Sequence, residues 1–333
     1  MKTRIKKIVT QLLSGERSNE LLKNKREPKR PNIHSQNEGI GFYSSMFIKD
    51  LTEGIIPIGG ESREYPDFQV EFQGKSNQIE KAKSLLDSLN YRGYKSKGYR
   101  DEEDLVSKTI RNICGNIASS GNAIYEIFFP KKDQPALLLL PSNLIKLPFS
   151  YLYRPSDRHE GSQISTKFFW QYETFEVSIP SQLGGKRSYQ KLINTLKSIK
   201  SNAHEINLKN IKQDEDKTME FDFDEFDRLT KLGVDEATKV WGWGHRSETS
   251  SYEDKKWTEY YEMARKIKFF RSKAILRDHI LGKLNNSLFP KLGYNVNISY
   301  EGIPSPDDIK VLRDKLSKGE LKFEDILPKL QLL

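Results

Sequence analysis

The 333-residue sequence contains a single cysteine, Cys114, and five histidines. One cysteine excludes an intrachain disulfide framework and a cysteine-rich zinc site, and it fits a reducing intracellular compartment. The longest compact apolar run is Ala-Leu-Leu-Leu-Leu at 136–140, far below the roughly 18 residues that a membrane-spanning helix needs. The N-terminus is basic but lacks a continuous apolar segment, so no signal peptide is expected.

The sequence also lacks the common motifs of nucleotide, zinc and esterase sites. Gly184, Gly185 and Lys186 suggest a phosphate-binding loop, but Pro180 stands where that motif needs an earlier glycine, and Arg187 stands where it needs Ser or Thr. No two histidines have the helical spacing of a zinc motif, and no nucleophile elbow is present. We therefore expect that the chain is not an enzyme and needs no cofactor.

The positive charge is concentrated near the N-terminus. The chain carries a net charge of +9, of which residues 1–30 supply ten Lys/Arg against three Glu, a net of +7. This charge predicts a basic arm over residues 1–38, which either frays, contacts nucleic acid or docks on a neighbouring protein. The arm residues singled out as candidate contacts are Lys2, Arg4, Lys6, Lys7, Lys23, Lys25, Arg26, Lys29 and Arg30.

Hydrophobic periodicity predicts a mixed helix-and-strand body over 39–180. Phe68, Val70 and Phe72 alternate as in a strand, and the spacing over 76–90 predicts a helix. Asp101 is placed to cap a second helix that ends at Gly121. Strands are predicted over 122–129 and 136–140, joined as a hairpin, and a further strand pair is predicted over 164–179.

Helices dominate the remainder. The pattern predicts helices over 188–200, 222–239 and 253–288, the last long enough that a kink or a long structural strut is expected. A strand is predicted over 294–302. Ser305 then has the features of a helix N-cap, and that helix should end near Gly319.

Two neighbouring segments carry opposite charge. Residues 186–212 hold seven basic residues against Glu205, a net of +6, whereas 214–227 hold eight carboxylates against Lys217, a net of −7. The acidic segment fits a solvated face, an electrostatic surface or a two-metal nuclease site. Its carboxylates are Asp214, Glu215, Asp216, Glu220, Asp222, Asp224, Glu225 and Asp227.

Four stretches resemble the portal (head-tail connector) proteins of tailed bacteriophages. They are 104–129, 137–148, 259–285 and 298–327, and they occur in the order found in that family. The matching positions are Gly121, Asn122, Ala123, Tyr125 and Glu126 in the first, Leu140, Pro141, Leu144 and Ile145 in the second, and Lys318, Gly319 and Glu324 in the last. The third stretch is similar to the long helix that follows the channel loop in the family.

The resemblance implies an α+β portal-like fold in a ring, usually of twelve subunits. It would comprise an α/β wing, a two-helix stem, a small clip and a long kinked helix. The implied division is a basic arm at 1–38, the first part of the wing at 39–185, stem helices at 186–201 and 222–240 around a clip at 202–221, a channel loop at 241–254, a long helix and strand returning to the wing at 255–302, and C-terminal helices forming a reduced crown at 303–333.

The family also implies a role and a set of partners. A portal ring sits at the capsid vertex of the virion, after assembly in the host cytoplasm, and double-stranded DNA is packaged and ejected through it. The expected partners are further copies of the chain, the major capsid protein, the terminase large subunit, a neck or adaptor protein and the passing DNA, without a membrane. The residues expected to line the channel are His245, Arg246, Asp214, Glu215, Asp216, Asp222, Asp224 and Glu225.

Two other functions compete with this interpretation. The basic arm and the many Tyr and Phe residues suit a protein that binds nucleic acid by stacking. The carboxylates of 214–227 suit, less well, a metal-dependent nuclease.

Overall fold

A computed structural model of the chain describes residues 41–56, 68–89, 99–131, 134–141, 144–153, 167–213, 223–244, 255–322 and 325–326. Helices and strands alternate through these residues, and the strands form three antiparallel sheets. The predicted α+β class is therefore confirmed. Within the described ranges, no helix combines the length and apolarity that crossing a bilayer requires.

In the described residues before the central strands there are three helices: α1 (Phe42–Thr52), α2 (Ser76–Ser88) and α3 (Glu102–Ser120). The predicted start and end of α3 are confirmed. The Asp101 carboxylate accepts a 2.7 Å hydrogen bond from the Asp104 N–H, and Gly121 ends the helix with a φ of 82°. Helix α1 was not predicted, although Phe47 and Leu51, one turn apart, lie in its fully buried stripe.

The central sheet has the strand order β3-β2-β7, where β2 is Asn122–Lys131, β3 is Gln134–Leu139 and β7 is Thr174–Ser178. The predicted hairpin of β2 and β3 is confirmed. Alternate β2 side chains face opposite ways: Tyr125 joins the main core shared with α3, whereas Ile124 joins a smaller cluster on the other face. The central sheet is thus covered on both faces.

A small sheet with the order β4-β5-β6 supplies the second cover. Its strands are β4 (Leu144–Leu147), β5 (Ser150–Tyr153) and β6 (Lys167–Trp170), and its inner side chains Tyr151 and Phe169 cluster with Ile124 and Leu140. The prediction that the strands over 164–179 pair with each other is wrong. Strand β6 pairs with β5 and β7 pairs with β2, because a short 3₁₀ turn at Gln171–Glu173 carries the chain from one sheet to the next.

A pair of helices follows the central sheet, α4 (Gly185–Gln213) and α5 (Phe223–Ala237). Helix α4 begins three residues earlier than predicted and continues past the predicted end at residue 200, so it enters the segment assigned to the clip. At 1.5 Å per residue its 29 residues span about 43 Å. Helix α5 lies within the predicted 222–239.

The long helix α6 (Lys255–Lys283) continues through a π-helical turn at Leu284–Leu288 and a last turn at Phe289–Lys291. Its predicted length is confirmed, and the π-turn is a local irregularity near its end. Helix α6 packs against α3 and so brings the chain back to the body.

Strand β8 (Val296–Glu301) pairs with β1 (Gln69–Gly74), joining residues more than 200 positions apart. Side chains cap the open edges of this two-stranded sheet. The Val70 N–H donates to Glu103 Oε1 at 3.1 Å, and the Asn285 amide donates to the Ile298 carbonyl at 2.8 Å and accepts from the Ile298 N–H at 3.0 Å. The π-turn places Asn285 at this edge.

Helix α7 (Pro306–Ser317) packs against α6. The predicted N-cap is confirmed as a capping box, in which the Asp308 N–H donates to Ser305 Oγ at 3.2 Å and the Asp308 carboxylate accepts from the Ser305 N–H at 2.9 Å. Gly319 follows with a φ of 72°, as the predicted end of the helix requires.

Candidate functional site

Helices α4 and α5 form a packed pair that follows the central sheet. Leu192, Leu196 and Ile199 recur at three or four residues along α4 and are buried. Gly233 of α5 lies over Ile199, close enough that a Cβ at this position would be 3.4 Å from Ile199 Cγ2. A small residue at this point lets the two helices approach closely, so the pair is a defined structural unit.

The two helices carry opposite charge. Helix α4 holds seven basic residues and Glu205, a net of +6, and α5 holds five carboxylates against Arg228 and Lys231, a net of −3. Arg187, Lys191 and Lys197 of α4 are exposed, as is Asp224 of α5. The pair therefore presents a basic and an acidic surface side by side.

The turn after α5 is fixed by two buried tryptophans. Trp241 and Trp243 are each 2% exposed, and both rings meet Phe47 of α1 edge-on, with centroid distances of 5.6 and 5.5 Å. The Trp243 indole N–H donates a 2.8 Å hydrogen bond to Asp50 Oδ2. Residues 241 and 243, which begin the predicted channel loop, are thus part of the hydrophobic core.

Polar contacts from α6 fix the backbone of the same turn. Arg265 forms a salt bridge with Asp235 of α5 and donates from Nη2 to the Trp243 carbonyl, while Ser272 Oγ donates to the Trp241 carbonyl at 3.0 Å. Gly242 between the tryptophans has a φ of 78°, a conformation that favours glycine. Side chains of α6 therefore hold the backbone of this turn in place.

Few of the sequence-predicted site residues fall in the described part of the chain. Asp224 is exposed at the start of α5, and Glu225 is its neighbour in the helix, with a side chain outside the described set. The others lie outside the described residues: Asp214, Glu215, Asp216, Asp222, His245, Arg246, and the arm residues Lys2, Arg4, Lys6, Lys7, Lys23, Lys25, Arg26, Lys29 and Arg30. Among the residues that are described, no group of three or more His, Cys, Asp or Glu is arranged to hold a metal ion.

His279 of α6 occupies a half-buried position against the central sheet. Its side chain has a backbone hydrogen bond with Ser178 at the end of β7. Burial, aided by the nearby Lys283 ammonium, lowers the pKa of His279 below its ordinary value. The lowered pKa keeps this imidazole uncharged at neutral pH.

The sequence reasoning missed Asp50 and Arg265, which position the tryptophan turn. Asp50 lies 193 residues before Trp243, and no local pattern connects them. The tryptophans themselves carried a usable signal, because indole rings are seldom left in water and bury large areas when packed. The resemblance implied a channel loop over 241–254, but it did not indicate that the first residues of this segment are buried.

The comparisons with known proteins find a similarity among solved structures. No protein-family model matches the sequence, and no curated protein matches it. Among solved structures, the fold is similar to a chain from the neck of an empty gene transfer agent (GTA) particle computed with C6 symmetry. The TM-score is 0.47 at 12% identity, over 92% of this chain and 95% of the other. At this level the similarity does not establish a function.

Proposed function

We propose that the chain is the subunit of a phage portal ring through which double-stranded DNA is packaged and ejected. The path of the chain is the observation that carries this proposal. An α/β body is followed along the chain by the oppositely charged pair α4–α5, a turn at the buried Trp243 and the long helix α6, after which β8 pairs with β1. That order agrees with the wing, stem, channel loop and long helix implied by the sequence resemblance.

The charge distribution suits a conduit better than a tight DNA binder. A strongly basic lining would hold DNA, because each phosphate contact releases counterions and strengthens binding. Helix α4 is basic but α5 beside it is acidic, and the segment 214–227, which includes the first turn of α5, has a net charge of −7. In a ring these charges repeat once per subunit, and we place the carboxylates of 214–227 along the clip and stem, with His245 and Arg246 at the channel loop.

The partners follow from this assignment. Part of the clip, around 214–221, would dock the terminase large subunit during packaging and a neck or adaptor protein afterwards, and the rim of the wing would contact the major capsid protein at the vertex of the virion. The packaging ATPase is then a separate protein, so the chain itself needs neither catalysis nor a cofactor. The C-terminal residues 303–333 would form a reduced crown.

Measuring the mass of the purified full-length protein tests the proposal. Twelve copies of the 38.7-kDa chain would form a ring of about 0.46 MDa with a central hole, visible by light scattering and negative-stain electron microscopy. A monomer that binds nucleic acid in a salt-sensitive way would favour the nucleic-acid-binding alternative. Divalent-dependent cleavage that is lost in Asp222→Ala and Asp224→Ala would favour the nuclease.

A further inference from the structure

The N-terminal residues join the described part of the chain at Gly41, immediately before helix α1. Gly41 lies directly against helix α4, where a Cβ on this glycine would be 2.7 Å from the Cα of Lys197. Helix α1 itself packs along α4. The basic arm of residues 1–38 is therefore attached to the body beside α4.

Two carboxylates of α5, Asp224 and Asp227, lie near the same point, and we call them the acidic start of α5. Burial, and after it the negative charge of Asp227, raises the pKa of Tyr43 above its ordinary value. Tyr43 is two residues after Gly41, and Asp224 is about one turn before Asp227. The arm is thus attached next to an acidic surface as well as a basic one.

The acidic start of α5 is open to further partners. Asp224 is exposed and has no ion pair within the described ranges. Asp227 lies 2.6 Å from the Lys231 ammonium, but 57% of the Asp227 side chain and 38% of the Lys231 side chain are exposed. An ion pair so accessible to water contributes little, and a carboxylate can accept several donors at once. Both carboxylates can therefore receive additional cations.

The charge of the arm distinguishes between the two helices. Its residues 23–30 hold five Lys/Arg against Glu27, a net of +4, and we call them the basic stretch. Helix α4 has a net charge of +6 and exposes Lys197 at the attachment point, so it repels the basic stretch. Helix α5 has a net charge of −3 and attracts it. At about 0.1 M salt these forces extend over about 10 Å, so the arm is directed towards α5.

The basic stretch is near enough along the chain to reach the acidic start of α5. It ends at Arg30, eleven residues before Gly41, and eleven residues span at most about 36–40 Å. Helix α5, with 15 residues, is about 22 Å long. A link of this length gives an effective local concentration on the order of millimolar. A few weak ion pairs are then sufficient for the contact to form.

We propose that the basic stretch 23–30 docks on the acidic start of α5 in the same chain. Its ammonium and guanidinium groups would donate charge-assisted hydrogen bonds to the Asp224 and Asp227 carboxylates. Docking would neutralise the most basic part of the arm within the protein itself, which lowers the number of cations available to the phosphates of DNA. This inference goes beyond the proposed function and does not depend on the formation of a ring.

Limited digestion with trypsin tests the contact in the full-length protein, because trypsin cleaves after Arg26 only while the basic stretch is accessible. At about 50 mM NaCl, Asp224→Asn should speed this cleavage about two- to fivefold, as expected for the loss of one exposed ion pair. Adding Asp227→Asn should speed it further. At about 0.5 M NaCl, where charges are screened beyond about 4 Å, the variants should be cleaved at the same rate as the wild type.

Asp307→Asn is the matched control. Asp307 is exposed and is the second residue of α7, as Asp224 is the second residue of α5. The substitution therefore makes the same change in charge at the same helix position, and it should leave cleavage after Arg26 unchanged. Circular dichroism establishes that each variant is folded. Equal cleavage rates in the wild type and in both α5 variants at low salt would overturn the proposed contact.

Cross-linking identifies which copy of α5 the arm contacts. A carbodiimide joins lysine amines directly to carboxylates, and isotopically heavy and unlabelled subunits, mixed before any ring forms, distinguish products within one copy from products between two. We expect Lys23, Lys25 or Lys29 to be joined to Asp227 within one copy. Products that join two copies would overturn docking in the same chain and assign the arm to a neighbouring subunit. Protection of Arg26 that requires added duplex DNA would overturn it in favour of nucleic acid. The mass of the assembled protein tests the ring separately.

Discussion

Asn285 provides a sharp test of how the long helix is joined to the sheet. Its amide makes both hydrogen bonds to the backbone of Ile298, at 2.8 and 3.0 Å, and Ile298 is only 1% exposed. Replacement of Asn285 by Ala leaves a buried N–H and a buried C=O without this partner. Each orphaned group costs about 1–3 kcal/mol, so we expect Asn285→Ala to destabilise the β1–β8 sheet by about 2–4 kcal/mol.

The neighbouring Asn286 supplies the control. It lies in the same π-turn but is exposed, so Asn286→Ala carries the same change in helix propensity without the buried hydrogen bonds. Hydrogen exchange of the segment 294–302, at one protein concentration for both variants, measures the difference. A cost of 2 kcal/mol corresponds to about a 30-fold loss of protection. Equal protection in the two variants would refute the idea that Asn285 holds the edge of β8.

Three further outcomes are expected. Gly242→Ala should lower the free energy of unfolding, measured in urea, by about 2–4 kcal/mol, because the backbone at this residue has a φ of 78° and the new Cβ would lie 2.6 Å from Lys268 Cβ. Gly244→Ala is the control. Its new Cβ would have a nearest contact of 3.4 Å, so this substitution should change the free energy of unfolding by less than about 0.5 kcal/mol. Burial opposes ionisation of Asp104, but hydrogen bonds from a neighbouring lysine and a backbone N–H outweigh it and lower the pKa of Asp104 below its ordinary 3.8. The resulting stability is present above that value and declines as pH falls through the lowered pKa, and a pH series of urea unfolding should show a shallower acid decline in Asp104→Asn. Burial raises the pKa of Cys114 to about 12, so its reaction with a thiol reagent at pH 8 should be at least about a hundredfold slower in the folded protein than in urea, and equal rates would contradict the packed core.

Capping residues and glycines in the sequence predicted correctly where helices α3 and α7 begin and end. Asp101 and Ser305 identified helix starts because each side chain accepts a hydrogen bond from an N–H three residues away, a relation contained within one turn. Gly121 and Gly319 identified helix ends for the same reason, since only the backbone at that residue needs a positive φ. Helix α1 was not predicted because its two adjacent serines and several aromatic residues, Phe42 and Tyr43 among them, have weak helix propensity. Tertiary packing overrides this weak propensity in the folded protein.

Relations between distant segments could not be obtained in this way. The pairing of β6 with β5 depends on a turn of three residues that sends the chain to another sheet, and alternation alone does not choose the partner strand. At the candidate site, the anchoring of Trp243 depends on Asp50 and Arg265 from two other helices. The sequence predicted a loop there, but it held no information on which residues fix its base.

The pairing of β1 with β8 has a consequence for the order of events during synthesis. Strand β1 is complete at Gly74, but its partner begins at Val296, 222 residues later. At the usual rate of chain elongation this is a wait of about 10–45 s, during which Val70 and Phe72 have no partner strand. Closure of the body is therefore a late step that depends on nearly the whole chain having been made. A truncated chain that lacks β8 could not form this sheet. Complete and incomplete chains would therefore differ in folding before they meet other copies.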